Sequence, residues 1–222
     1  MNGRLIASFL TDEEQTRYEQ MLLPLDLDEK ARRSLYINQN GSNLWKVLLL
    51  NQNGIRTPSL QELDLIARNS PDFLKGCIVD APAIVLRSNA CSDKDRSYFA
   101  KQVSGLIGRT SFPHAVVVEG LNVKVDKSSA YSLSFCVSDK LKVIEAPAFD
   151  CVNHGRTFQR INPDYTLDFD DKSPRKVYTG YHSISRLCLG ATLDLETWVD
   201  LTFSYGRGQI VTVHQTQSTQ KI

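Results

Sequence analysis

The stretch INPDYTLDFDDKSPRK (161–176) sets four carboxylates, Asp164, Asp168, Asp170 and Asp171, just ahead of Lys172, Ser173-Pro174, Arg175 and Lys176. Carboxylates followed by a lysine, as in Asp170-Asp171-Lys172, can hold Mg2+ or Mn2+ and support an attacking water, because hard cations prefer oxygen ligands. Glu145 or Asp150, brought in on a neighbouring strand, would complete such a set. The chemistry would then be nuclease-like phosphodiester hydrolysis, with Lys172 stabilising charge. A plainer pattern fits the same residues. Tyr165, Leu167 and Phe169 alternate with Thr166, Asp168 and Asp170, so the acids fall on the wet side of a half-buried strand. DDKSPRK is then a solvated turn, with Pro174 where turns favour it. This second reading is the expectation, because Asp164 and Asp170 are too close in sequence for acids drawn from two strands.

A second constellation is Cys151-Val-Asn-His154 with His182 and Cys188, an N/S set of the kind that holds Zn2+ tetrahedrally. Against it, Cys188 sits in the apolar alternation ISRLCLG and reads as core. A thiol nucleophile, Cys151 or Cys136 with His114, His154 or His182, needs a proximity that spacing does not supply. Ser183 and Ser185 in GYHSISRL do not match the G-x-S-x-G elbow. Phosphate cradles are missing too. GLIGR (105–109) ends a helix where an anion site needs glycines ahead of one, and Lys127-Ser128 lacks the upstream glycines of a P-loop. Three residues are contact candidates: Arg207 at the tip of Gly206-Arg207-Gly208, and Trp45 and Tyr36 beside an Asn-Gln-Asn-Gly loop. Phe99, Phe135, Phe169, Trp198 and Phe203 lie at helix or strand spacing and are expected in the core.

Helices dominate the first half of the chain. Thr11 and Glu14 form a T-x-x-E capping box ahead of Tyr18, Met21, Leu22 and Leu25, with Pro24 near the end. Asp28 caps a second helix in DEKARRSLYI. Ser59 and Glu62 form another capping box over 57–71. CSDKDRSYFAKQVSGLIG (91–108) reads as a helix capped by Ser92 and Asp95, with Phe99, Val103 and Leu106 on one face and Gly108 after its end. LWKVLLL (44–50), bracketed by NQNG at 38–41 and 51–54, reads as a strand of a hairpin. CIVDAPAIVLR (77–87) reads as a buried strand with an edge or bulge at Pro82.

Strands follow residue 110: HAVVVE, LNVKV, YSLSFCV and LKVIE, with turns at Gly120, 126–128 and 139–140. WVDLTFSYGRGQIVTVHQT (198–216) reads as a β-hairpin around Gly206-Arg207-Gly208. The expected fold class is α+β, a helix-rich N-terminal half packed on a mainly antiparallel sheet from the C-terminal half. The division is 1–110 and 111–222, or one continuous domain.

Charge is balanced, with 26 basic and 25 acidic residues and no strongly basic third, so nucleic acid is disfavoured as a partner. No apolar run approaches the roughly 20 residues that span a bilayer, so no membrane is expected. The opening residues lack a signal-peptide core. Five scattered cysteines suit reduced thiols and a cytoplasmic, or virion-associated, setting. The leading expectation is a non-catalytic binding or assembly subunit of a larger protein complex, with a virus or phage as one candidate source. It needs no cofactor and meets other subunits through the 198–216 hairpin by β-augmentation. The alternatives are the metal-dependent hydrolase with Mg2+ or Mn2+ and a Zn2+-stapled module.

Overall fold

A computed structural model of the 222-residue chain describes residues 5–36, 43–88, 94–129, 132–201 and 207–215. The class is α+β: the helices lie mostly in the N-terminal half and the sheet is mainly antiparallel. Among the described residues no helix is long and apolar enough to cross a membrane.

Local chemistry starts the helices where it should. In α1 (Asp12–Leu22) the Thr11 hydroxyl accepts the Glu14 N–H at 3.2 Å and the Glu14 carboxylate accepts the Thr11 N–H at 2.9 Å. Asp28 caps α2 (Glu29–Leu35) through the Ala31 N–H. Ser59 and Glu62 close the second capping box at α4 (Leu60–Asn69), which a single turn, α5 (Pro71–Leu74), follows. The last helix, α6 (Lys94–Ile107), ends at Gly108 with φ +67°. Its expected cap Ser92 lies outside the described residues.

One expected strand is a helix. LWKVLLL lies within α3 (Asn43–Gln52), and every residue from Leu44 to Leu50 is buried. A helix buried on all sides shows no polar stripe, so its run of apolar residues imitates an interior strand. The correction also removes Trp45 from the contact candidates. Its ring is 2 % exposed and stacks on Phe135 at 4.6 Å. Tyr36 is partly buried against the same core.

The principal sheet runs in the order β4 (Leu133–Glu145), β3 (Val116–Val125), β2 (Ile78–Leu86), β8 (Ile184–Leu189), β9 (Leu195–Thr197), β7 (Val177–Thr179). The short β10 (Gly208–Gln209) pairs in parallel with the start of β2. Four expected strands are therefore two long ones. Gly120 is a bulge inside β3 and 138–141 a bulge inside β4, with pairing resumed on either side at Glu119↔Lys142 and Leu121↔Val137. One extra residue reverses which way side chains point. That is why Val116 and Val118 share one core with Leu121 and Val123. At Pro82, three residues of β2 lie opposite the single Leu187, which keeps the alternation unchanged.

The two faces of the sheet carry separate cores. Ile84, Leu86, Val116, Val118 and Ile184 face α1, α2, α3 and α6, while Val79, Ala83, Val85, Val117, Leu187 and Leu195 face α4 and α5. The second face also receives the small sheet of β5 (Phe158–Ile161) and β6 (Leu167–Phe169) and the pair β1 (Leu5–Phe9) with β11 (Val211–Gln215). The 198–216 hairpin is a second correction. Val211–Gln215 pairs with β1, and Val199 is held on β8 by the Arg186 N–H at 2.9 Å, while residues 202–206 lie outside the described ones. The four described cysteines, Cys77, Cys136, Cys151 and Cys188, are free thiols.

Candidate functional site

The acidic stretch resolves into local turns. Asp164 accepts the N–H and hydroxyl of Thr166, at 3.1 and 2.7 Å. Asp168 takes the side-chain amide of Asn162 at 2.7 Å, and Asp170 takes the Lys172 N–H at 2.9 Å. Asp171 and Lys172 are exposed. Glu145 pairs with Arg109 at 3.2 Å, and Asp150 takes the Ala115 N–H and His114 Nδ1, both at 2.7 Å. Among the described residues no group of three His, Cys, Asp or Glu side chains is arranged to hold a metal ion. The charged residue of that stretch that is buried is Arg175. It is 8 % exposed, donates to Asp64 at 2.7 Å and to the Leu193 carbonyl at 2.9 Å, and so locks the 171–176 turn onto α4.

The proposed zinc set divides. The Cys151 thiol donates to the Gly180 carbonyl at 3.1 Å, and His154 Nδ1 lies 2.8 Å from the Thr179 carbonyl. His182 follows two residues after Gly180. Cys188, in contrast, is wholly buried, and desolvation pushes its thiol well above the usual range. Three of the four residues thus gather around the end of β7, and the fourth is inside the sheet.

That gathering borders a cleft of about 500 Å³ lined by His154, Tyr178, Thr179, Gly180, Tyr181, His182, Glu196 and Trp198. Its size suits a small organic ligand. Tyr181 is 67 % exposed and Trp198 43 % exposed, and Tyr178 meets the His154 ring edge-on at 5.6 Å. Gly180 makes the close approach of the two walls possible. A Cβ at this position would lie 2.5 Å from Trp198 Cβ. Trp198, expected in the core, is therefore a correction: the strand has ended at Thr197, and the next side chain stands at the rim.

The floor of the cleft is charged. Pairing of β7 with β9, β9 with β8 and β8 with β2 aligns Tyr178, Glu196, Cys188 and Asp80 in one transverse row. Desolvation raises the Glu196 carboxyl above its ordinary range, with Arg186 opposing and Asp194 and Asp80 adding to the shift. Glu196 Oε2 is buried without a hydrogen-bond partner among the described residues. At the inner end of the row Arg186 donates to Asp80 at 3.2 Å, and Lys46 of α3, also buried, has its pKa lowered to about 8.

A smaller recess of about 200 Å³ adjoins at Tyr181, lined by Arg87, His114, Asp150 and Cys151 among others. Arg87 is committed to structure, donating to Ser185, the Phe149 carbonyl and Thr197. A larger polar groove of about 730 Å³ lies beside the Gly120 bulge. Within it Arg56 pairs with Glu62 and Asn51 with Thr57.

Comparison with family models, curated proteins and solved structures returns no match for the chain. The site therefore rests on its own chemistry. It is an aromatic cleft lined by a carboxyl group that burial pushes above its ordinary range. Sequence reasoning reached His154, His182 and Cys151 but missed Tyr178, Tyr181 and Glu196. The available signal was YTGYH (178–182), two tyrosines flanking a glycine at the end of a strand, with ETW (196–198) ending the next.

Proposed function

We propose that the chain is a non-catalytic binding component of a larger complex, and that the cleft at the end of β7 and β9 is its recognition site. The observation that carries this reading is the exposed aromatic wall of Tyr181 and Trp198 in a cleft that Glu196 also lines. Large apolar rings held at a surface leave free energy to be recovered when a ligand covers them. The assembly part has its own support. The 13-residue β4 forms one margin of the sheet, with Val137 and Val143 exposed; Gln102 of α6 takes the Phe135 N–H, and the part of the margin beyond it suits pairing with a partner's strand.

The two tryptophans make the test direct, because Trp45 is sealed in the core and Trp198 stands at the cleft. Trp emission is followed while monosaccharides, nucleosides and organic amines are titrated into the full chain. At least one class is expected to shift the emission of the wild type and not that of Trp198→Ala. No shift from any class would remove the cleft as a binding site. Phosphodiester turnover with Mn2+ that disappears in Asp170→Ala would replace the binding role with catalysis.

A further inference from the structure

Resting on that reading, we infer that the cleft takes a methylated ammonium group, seated among Tyr178, Tyr181 and Trp198 over the Glu196 carboxylate. Three aromatic side chains and one acid converge on a single cavity. The negative face of an aromatic ring attracts a cation, and the attraction grows when water is excluded. Glu196 lines the cavity and is poorly solvated, so a cation seated beside it offsets the unfavourable burial of a negative charge there.

The same geometry selects among cations. An unmethylated ammonium or a guanidinium brings several N–H donors that all need acceptors. One carbonyl beside the cleft already has a donor, Gly180 with the Cys151 thiol at 3.1 Å. A quaternary ammonium needs no acceptor and presents methyl groups to the rings. The other ionisable groups around the seat are His154 and His182 on its walls, and Arg186, Asp194 and Asp80, whose charges act on Glu196. The cavity exceeds the headgroup alone, which leaves room for the chain that carries it, either a free choline-like molecule or a methylated lysine of another protein.

The test is a titration of the full chain at pH 8, read by Trp emission. The probes are choline chloride, a trimethyllysine peptide with its unmethylated counterpart, and 3,3-dimethylbutan-1-ol, which has the shape of choline without its charge. Choline or the methylated peptide is expected to bind about tenfold or more tightly than the neutral alcohol. Glu196→Gln should bring the cation down to the level of the alcohol, and Trp198→Ala, followed by calorimetry because it lacks the reporter, should lose both, with circular dichroism showing each variant folded. Tighter binding of the peptide than of choline assigns a protein source, and the reverse assigns a free molecule. Equal binding of alcohol and choline overturns the cation inference while the cleft remains a binding site. Failure of every probe here, together with the monosaccharides, nucleosides and amines, overturns both.

Discussion

At the scale of single residues, charge density is a poor guide to importance and burial a good one. The four aspartates of 164–171 face outward, and three of them receive turn donors. The carboxylate that matters to the fold is Asp64, wholly buried, which accepts Arg175 at 2.7 Å, Arg68 at 2.9 Å and the Ile161 N–H at 3.3 Å. It joins α4 to β5 and to the 171–176 turn. Asp64→Ala would strand the Arg175 guanidinium in the interior, and a loss of about 3–5 kcal/mol is expected in urea unfolding. Asp171→Ala, by contrast, should change stability by less than about 0.5 kcal/mol, since Asp171 is exposed. The two tryptophans teach the same lesson. Trp45 reads as a surface residue beside a loop and is core, while Trp198 reads as core and stands at the rim.

At the scale of elements, capping chemistry was legible and long-range pairing was not. Thr11/Glu14, Asp28 and Ser59/Glu62 mark three helix starts correctly, because a cap is satisfied within three residues of chain. Gly120 was legible as a special residue but not as a bulge. Its φ of +72° suits a turn equally well, and only the continued pairing of β3 with β4 distinguishes the two. The bulge also holds the strands tightly together. A Cβ on Gly120 would overlap the Lys140 carbonyl. Gly120→Ala is therefore expected to cost about 2 kcal/mol or more, from the left-handed backbone and the clash together, measured by the shift in urea midpoint.

At the scale of the whole molecule, one sheet carries both cores, and β2 of the N-terminal half lies between β3 and β8 of the C-terminal half. Charges buried on that sheet should make global stability depend on pH. Burial lowers Lys46 to about 8. The unfolded chain, with an ordinary lysine, then holds the extra proton between about pH 8 and 10, so stability rises with pH across that window. Cys188 and Tyr18, pushed upward by burial, act in the opposite sense, Cys188 above about pH 8.5 and Tyr18 above about pH 10. The informative quantity is therefore the difference between wild type and Lys46→Met. Wild-type stability is expected to gain on the variant from pH 8 to 10, on the order of 1 kcal/mol per unit, by urea unfolding at each pH. A flat difference would show Lys46 solvated in the native state.

The sequence by itself determined the α+β class, the helix starts at Thr11, Asp28 and Ser59, the end of α6 at Gly108 and the irregularity at Pro82. Each depends on residues near one another in the chain. Only the tertiary structure decided that LWKVLLL is a helix buried on every side, that Val211–Gln215 pairs with Leu5–Phe9, and that Tyr178, Glu196 and Trp198 share one cleft. Those outcomes depend on which surfaces meet across long separations, where a residue's environment is set by strand register rather than by its neighbours in sequence.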